Sequence, residues 1–258
     1  MIFVIICITE CYMSIGSFFV FINEVGLVPH IFGQNEFLYF LFLFAVLLAS
    51  YLFGSLNSAI IVSKLLYGED IRTKGSGNAG MTNMLRTYGK KAAILTLIGD
   101  LSKTVVAVCL AGFLFGFGYF RGISLNFILY TSGLFAVIGH VFPCFYGFKG
   151  GKGVLVTSTM GLILTPLIFL ALFILFVLIV AVSKYVSLGS VSVAVLYPVA
   201  LNFYYRAVIH NYPDGLVLLC SMILAVLIVW CHRENLKRIG NRTENKLSFG
   251  KKKQNEEE

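Results

Sequence analysis

Charge is the scarcest commodity in this sequence: 12% of its 258 residues are Asp, Glu, Lys or Arg, while 58% are hydrophobic. Soluble domains carry roughly 25% charged residues, so this chain cannot furnish a water-facing surface around so much apolar material. It reads as a membrane protein. Paired cysteines are missing as well. The six cysteines (Cys7, Cys11, Cys109, Cys144, Cys220 and Cys231) lie mostly in or beside apolar runs and never at Cys-x-x-Cys spacing. That pattern argues against a disulfide framework or a metal site and for small packing residues. No Lys or Arg precedes the hydrophobic stretch at the N-terminus, so residues 1–36, interrupted by Glu10, Glu24 and Pro29, lack the form of a secretory signal. They are set apart as an N-terminal extension, with an extra membrane segment as one reading.

Two catalytic signatures are absent too. Gly-x-x-x-x-Gly-Lys-Ser/Thr does not occur, since Lys152 is followed by Gly153 and Val154, which removes a phosphate-loop triphosphatase. The positions five after the four histidines hold Asn35, Phe145, Gly215 and Lys237, so an acyltransferase of the His-x-x-x-x-Asp class is excluded. The formal net charge of +8 does not signal nucleic acid, because the cations sit between apolar spans and not along one polar face.

What is present is a series of apolar runs. Residues 37–66 form the first span, ending in Gly54-Ser55-Leu56-Asn57-Ser58, whose small and polar residues allow close helix approach. Spans over 92–117 and 125–142 follow, with Asp100 and Lys103 three apart on one helix face as an ion pair. The run 154–182 is divided by Pro166 into a short helix over 154–164 and a longer one over 167–182. The first of these falls short of the roughly 20 residues needed to span. Runs 186–205 and 216–230 complete an all-α polytopic fold of about seven transmembrane helices with short re-entrant-like helices. The expected organisation is an extension over 1–36, an integral-membrane domain over 37–246 and a charged, disordered tail over 247–258.

Three polar inserts interrupt these runs. If they share one side of the membrane, that side holds 18 Lys and Arg, against Arg121 and Arg206 opposite. The asymmetry places the inserts and the C-terminus in the cytoplasm, in an inner (cytoplasmic) membrane. In the first insert, 74–86, Gly75, Gly77 and Gly80 let the backbone turn several N–H groups toward one point, and Ser76, Asn78, Thr82 and Asn83 add short polar side chains. This is an anion cradle. Its match to Gly-x-Gly-x-x-Gly is accidental, because no β-strand precedes it. Arg86 adds a guanidinium able to grip a phosphate with two donors. The second insert sets Lys152 among Gly150, Gly151 and Gly153, just after His140 at a span's end. In the third, His232, Asn235 and Arg238 follow one another at three-residue intervals on one helix face. Histidine to take a proton, an amide to orient a hydroxyl and a cation for phosphate make a plausible constellation. Together the inserts describe a site for two phosphorylated small molecules. A transporter of an organic phosphate is the alternative reading.

These residues resemble one family, the membrane-integral glycerol-3-phosphate acyltransferases that use an acyl-phosphate donor, the PlsY family. The likeness is carried by Gly54-Ser55, by Asp70-Ile-Arg72 with the insert running to Arg86, by Gly139-His140 and Pro143, and by Phe148-Lys-Gly-Gly-Lys-Gly153. Lys184-Tyr-Val-Ser-Leu188, His232-Arg-Glu-Asn235, Arg238 and Thr243-Glu-Asn-Lys246 continue it in the same order. Met81 departs from it. The resemblance implies seven helices, a cytoplasmic active site, no metal and no cofactor. It implies transfer of a fatty acyl group from acyl phosphate to the 1-hydroxyl of glycerol 3-phosphate, giving lysophosphatidate and phosphate. By the motifs, Ser76, Arg86, Lys152, His232 and Asn235 would be catalytic. Gly75, Gly77, Asn78, Thr82, Asn83, His140, Gly150, Gly151, Gly153, Arg238 and Glu244 would bind substrate, Glu244 as a structural or positioning acid. The base would be His232 or an oxygen of the donor phosphate. Membrane lipid is the remaining partner.

Overall fold

The computed structural model describes residues 35–115, 119–120 and 123–247. The N-terminal extension, except its last two residues, and the tail beyond 247 lie outside the described residues. Asn35 opens the fold, its side chain accepting from Leu38 N to cap α1, Glu36–Ser55. After α2, Ser58–Tyr67, come α3, Met81–Tyr88, and the long α4, Lys90–Phe115. A two-residue antiparallel pair, β1 Tyr119–Phe120 with β2 Ile123–Ser124, turns the chain into α5, Leu125–Val141. The remaining helices are α6 Val154–Leu164, α7 Pro166–Ser183, α8 Val186–Ala207, α9 Gly215–Cys231 and α10 Arg233–Gly240. Five helical runs among the described residues are long and apolar enough to cross a membrane. A sixth is reached if α9 and α10, bent by 53° at His232, count as one.

The first run, Glu36–Tyr67, is one candidate span as expected, with an interruption of its helix at Leu56. Asn57 turns its side chain onto Ile60 N at 3.1 Å, capping α2 and ending α1 at Leu56. A helix start is favoured there because the amide satisfies a donor that no preceding turn reaches. The division at Pro166 falls as expected: Thr165 separates α6 from α7, and Pro166 occupies the first helical position, where its missing N–H costs nothing. With only 11 residues, α6 stops inside the bundle. Thr165 Oγ1 there lies 3.1 Å from the Tyr197 hydroxyl, itself 2.9 Å from that of Tyr130. These buried hydroxyls satisfy one another among apolar helices.

The central contact is α1 against α5, and glycine makes it possible. A Cβ on Gly54 would lie 2.1 Å from the Ala136 carbonyl oxygen, and one on Gly139 would lie 2.2 Å from that of Tyr51. Backbones at such range draw on dispersion and not on expelled water, as helices in lipid must. Ser50 and Ser132 join across the same seam at 2.6 Å. The buried core between α5, α6, α8 and α9 includes Tyr130, Val137, Met160, Leu201 and Leu224. Many large apolar side chains elsewhere are exposed, Phe37, Phe44, Val182 and Phe203 among them, which suits an outer surface bathed in lipid.

Candidate active site

The first insert is built around Asn83. Buried to 2% exposure, it accepts from Ser76 N at 2.9 Å and donates to the carbonyls of Lys74 at 3.0 Å and Ile71 at 3.4 Å. Its amide thus braces the loop. Gly75 and Gly77 have φ of 58° and 71°, a region that side chains strain to adopt. A Cβ on Gly75 would also strike Asn83 Oδ1 at 2.3 Å. Ser76, Thr82 and Arg86 remain on the exposed surface of this insert, and Asn78 is half-buried.

Arg72 fastens the first insert to the second. Its guanidinium meets both carboxylate oxygens of Asp70, at 3.0 Å and 2.8 Å, and donates to the carbonyls of Tyr146 and Lys149, at 2.7 Å and 3.0 Å. Hydrogen bonds from Arg72 hold the Asp70 carboxyl below the usual carboxylate range against the opposing effect of burial. Sequence reasoning left this clamp out of the site. Its signal was the Asp-x-Arg spacing, but the two carbonyls it grips lie more than seventy residues further on.

Gly150 and Gly151 bring the second insert against the end of α5. Their backbone N–H groups donate to Val141 O and His140 O, both at 3.1 Å. His140 is buried beneath this loop, its Nδ1 2.8 Å from Lys103 Nζ. The structure therefore sets His140 under the insert, with Nδ1 committed to Lys103. Gly153, with φ of 78°, starts α6 and leaves Lys152 projecting toward the third insert.

There Lys152 donates to Asn235 Oδ1. The other side of the same amide donates to Glu244 Oε1 at 2.6 Å, which also receives Ser187 Oγ at 2.7 Å. Arg238 Nε donates to Glu244 Oε2 at 2.8 Å. Burial works to raise the Glu244 pKa, but the hydrogen bonds from Asn235, Ser187 and Arg238 outweigh it and keep the group low, as a carboxylate. Burial pushes the Lys152 ammonium below the usual lysine range, Glu244 pulls it back up, and the positive charges of Arg238 and Arg86 lower it further. Lys152 thus feels cations from the other two inserts at once. Ser187 stood in the Lys184-Tyr-Val-Ser-Leu188 motif but was given no place in the site, because a serine two residues after an aromatic carries no chemical signal of its own.

His232 departs from the expected single helical face. It occupies the bend between α9 and α10, with Nδ1 2.8 Å from the Ile228 carbonyl, while Asn235 and Arg238 alone share a face of α10 and meet at Glu244. A carbonyl accepts only, so Nδ1 carries the proton and Nε2 is left as the ring's acceptor. The chain after α10 returns to the α7–α8 junction, where Leu247 N donates to Lys184 O at 2.8 Å. All three inserts therefore lie at one end of the bundle. The opposite end is closed separately by Ser124 Oγ donating to Asp214.

The family model described as "Glycerol-3-phosphate acyltransferase" matches residues 44–242. A glycerol-3-phosphate acyltransferase of Chlorobaculum tepidum is 39% identical over 229 residues, covering 81% of this chain and 97% of the relative. One of Coxiella burnetii is 40% identical over 210 residues, covering 81% of this chain and 99% of its own. Among solved structures, the glycerol 3-phosphate form of PlsY, an integral membrane glycerol 3-phosphate acyltransferase, superposes with a TM-score of 0.69 at 31% identity. It covers 80% of this chain and 96% of that one. The lysophosphatidic acid form gives a TM-score of 0.67 at 30% identity, over 80% and 95%.

Proposed function

This chain belongs to the membrane-integral glycerol-3-phosphate acyltransferase (PlsY) family, and from that we propose that it transfers a fatty acyl group from acyl phosphate to the 1-hydroxyl of glycerol 3-phosphate. The products are lysophosphatidate and inorganic phosphate. The observation that carries this reading is the convergence on Lys152, whose ammonium lies in the fields of Arg86, Arg238 and Glu244 and hydrogen-bonds Asn235. Each phosphomonoester brings nearly two negative charges, and cations from three inserts facing one point suit two such groups.

Acyl phosphate is already a mixed anhydride, so the protein needs no covalent intermediate of its own. It aligns the reactants and neutralises the leaving group. The acceptor oxygen attacks the acyl carbon, an ester C–O bond forms, the anhydride C–O bond breaks, and the electron pair leaves on phosphate. Lys152 and Arg86 meet that charge. Asn235, held by Lys152 and Glu244, orients the hydroxyl, and its proton passes to Nε2 of His232, left as an acceptor because Nδ1 is committed to Ile228 O. The Ser76 hydroxyl joins Lys152 and Arg86 at the phosphates, since the N–H groups of Ser76, Gly77, Gly150 and Gly151 are already committed within the loops.

The insert end of the bundle faces the cytoplasm across an inner membrane in this reading, supported by 18 cations against 2. Inside-out and right-side-out vesicles carrying the protein test chemistry and sidedness together. Externally added acyl phosphate and glycerol 3-phosphate are expected to give lysophosphatidate only with inside-out vesicles. Acylation by right-side-out vesicles alone would reverse the orientation. Accumulation of intact glycerol 3-phosphate inside sealed vesicles, without acylation, would replace the enzyme with a transporter.

A further inference from the structure

The break between α1 and α2 is wired to both glycine inserts through residues that the chemistry above does not use. Because Asn57 takes the Ile60 N–H, the Leu56 carbonyl is met from another helix, by Lys103 Nζ of α4 at 3.2 Å. The same ammonium lies 2.9 Å from Asp100 Oδ1 and 2.8 Å from His140 Nδ1. Two of its N–H donors thus meet Leu56 O and His140 Nδ1, with the Asp100 carboxylate beside it as counter-ion. Lys103, Asp100 and His140 are all buried, at 6%, 1% and 4% exposure.

An ammonium can only donate, so Nδ1 of His140 accepts and the ring proton sits on Nε2. That edge of the ring underlies both inserts. A Cβ on Gly151 would lie 2.1 Å from His140 Nε2 and 2.7 Å from the Ala79 carbonyl oxygen. The two loops therefore touch over the imidazole, with no room for a side chain between them. Asn57 closes the circuit by donating to Ala79 O at 3.4 Å.

We propose that Lys103 is a positioning residue: acting through His140 and the Leu56 carbonyl, it fixes the placement of the 74–86 insert relative to the 150–153 insert, and with it the alignment of donor and acceptor. This rests on the reading that the two inserts hold the two substrate phosphates. A pair kept only for stability would be replaceable at little cost to turnover, since buried ion pairs are often matched by neutral residues of similar volume. Alignment is different, because small misplacements of bound reactants cost rate.

The test is the paired variant Asp100→Asn with Lys103→Met, which removes both charges and leaves neither stranded. In folded protein, kcat is expected to fall at least about tenfold while KM for each substrate stays within about threefold, each cradle being intact but misaligned. Native kcat in the folded variant would overturn the proposal, as would a loss confined to KM. Nitrogen NMR of the His140 ring in the unmodified protein needs no variant to fold, apart from assignment through His140→Gln. Nδ1 is expected unprotonated and Nε2 protonated, and a protonated Nδ1 would overturn the proposal. Failure of the unmodified protein to acylate glycerol 3-phosphate would refute the functional reading instead, and the ring tautomer would still be measurable.

Discussion

Lys152→Met is expected to lower kcat/KM for acyl transfer by at least about a hundredfold, about 2.7 kcal/mol of transition-state stabilisation. Methionine keeps most of the volume, so the fold around Gly151 and Gly153 has little reason to change. What disappears is the ammonium that joins the second insert to Asn235 and shares the fields of Arg86 and Arg238. A charge-assisted hydrogen bond to a phosphate contributes about 1.5 to 3 kcal/mol. Lys152 also holds the amide that orients the acceptor, so the loss falls at the upper end of that range. Steady-state kinetics on purified, monodisperse variant check this. Activity within about threefold of the unmodified enzyme would remove Lys152 from the site.

Arg86→Lys tests the first insert without removing charge. Lysine offers a point charge where arginine offers a planar fork that matches two phosphate oxygens. If Arg86 grips a phosphate, kcat/KM falls at least about tenfold, about 1.4 kcal/mol, in folded protein. Arg86 is exposed on a short helix of eight residues, so the exchange carries little risk to stability. Unchanged turnover would mean that any cation at this position serves.

Much of this was legible in the sequence, for reasons that can be named. Runs of apolar residues fix where helices cross a lipid phase, Pro166 stops one helix and begins another, and Gly54 marks the close approach of α1 to α5. The glycine inserts were visible because positive-φ turns such as those at Gly75, Gly77 and Gly153 have few other solutions. The break at Leu56 was hidden, since no proline interrupts 37–66, its one charge, Lys64, lies beyond the break, and the cap by Asn57 looks like one more small polar residue. The buried hydrogen bonds of Asn83 and His140 were hidden too. Their side chains are the right chemistry for a ligand, and only burial and committed hydrogen bonds show that backbone and Lys103 already hold them. The Arg72 clamp joins residues far apart in sequence, and no local pattern encodes which carbonyls it will reach. His232 fell out of the helical face because the chain bends at that residue.

The donor separates this account from its nearest enzymatic rivals. A coenzyme A thioester would add an adenine, a ribose phosphate and a long pantetheine arm, which need an extended polar surface. The inserts here are short and meet around Lys152, while an acyl phosphate asks for one cradle for its head and a lipid-facing surface for its tail. The direct measurement presents purified enzyme and glycerol 3-phosphate with either acyl phosphate or acyl-CoA, following lysophosphatidate and inorganic phosphate together. Acyl phosphate is predicted to give the two products one for one, with acyl-CoA inert even at high concentration; efficient transfer from acyl-CoA, or lysophosphatidate formed without matching phosphate release, would contradict the account.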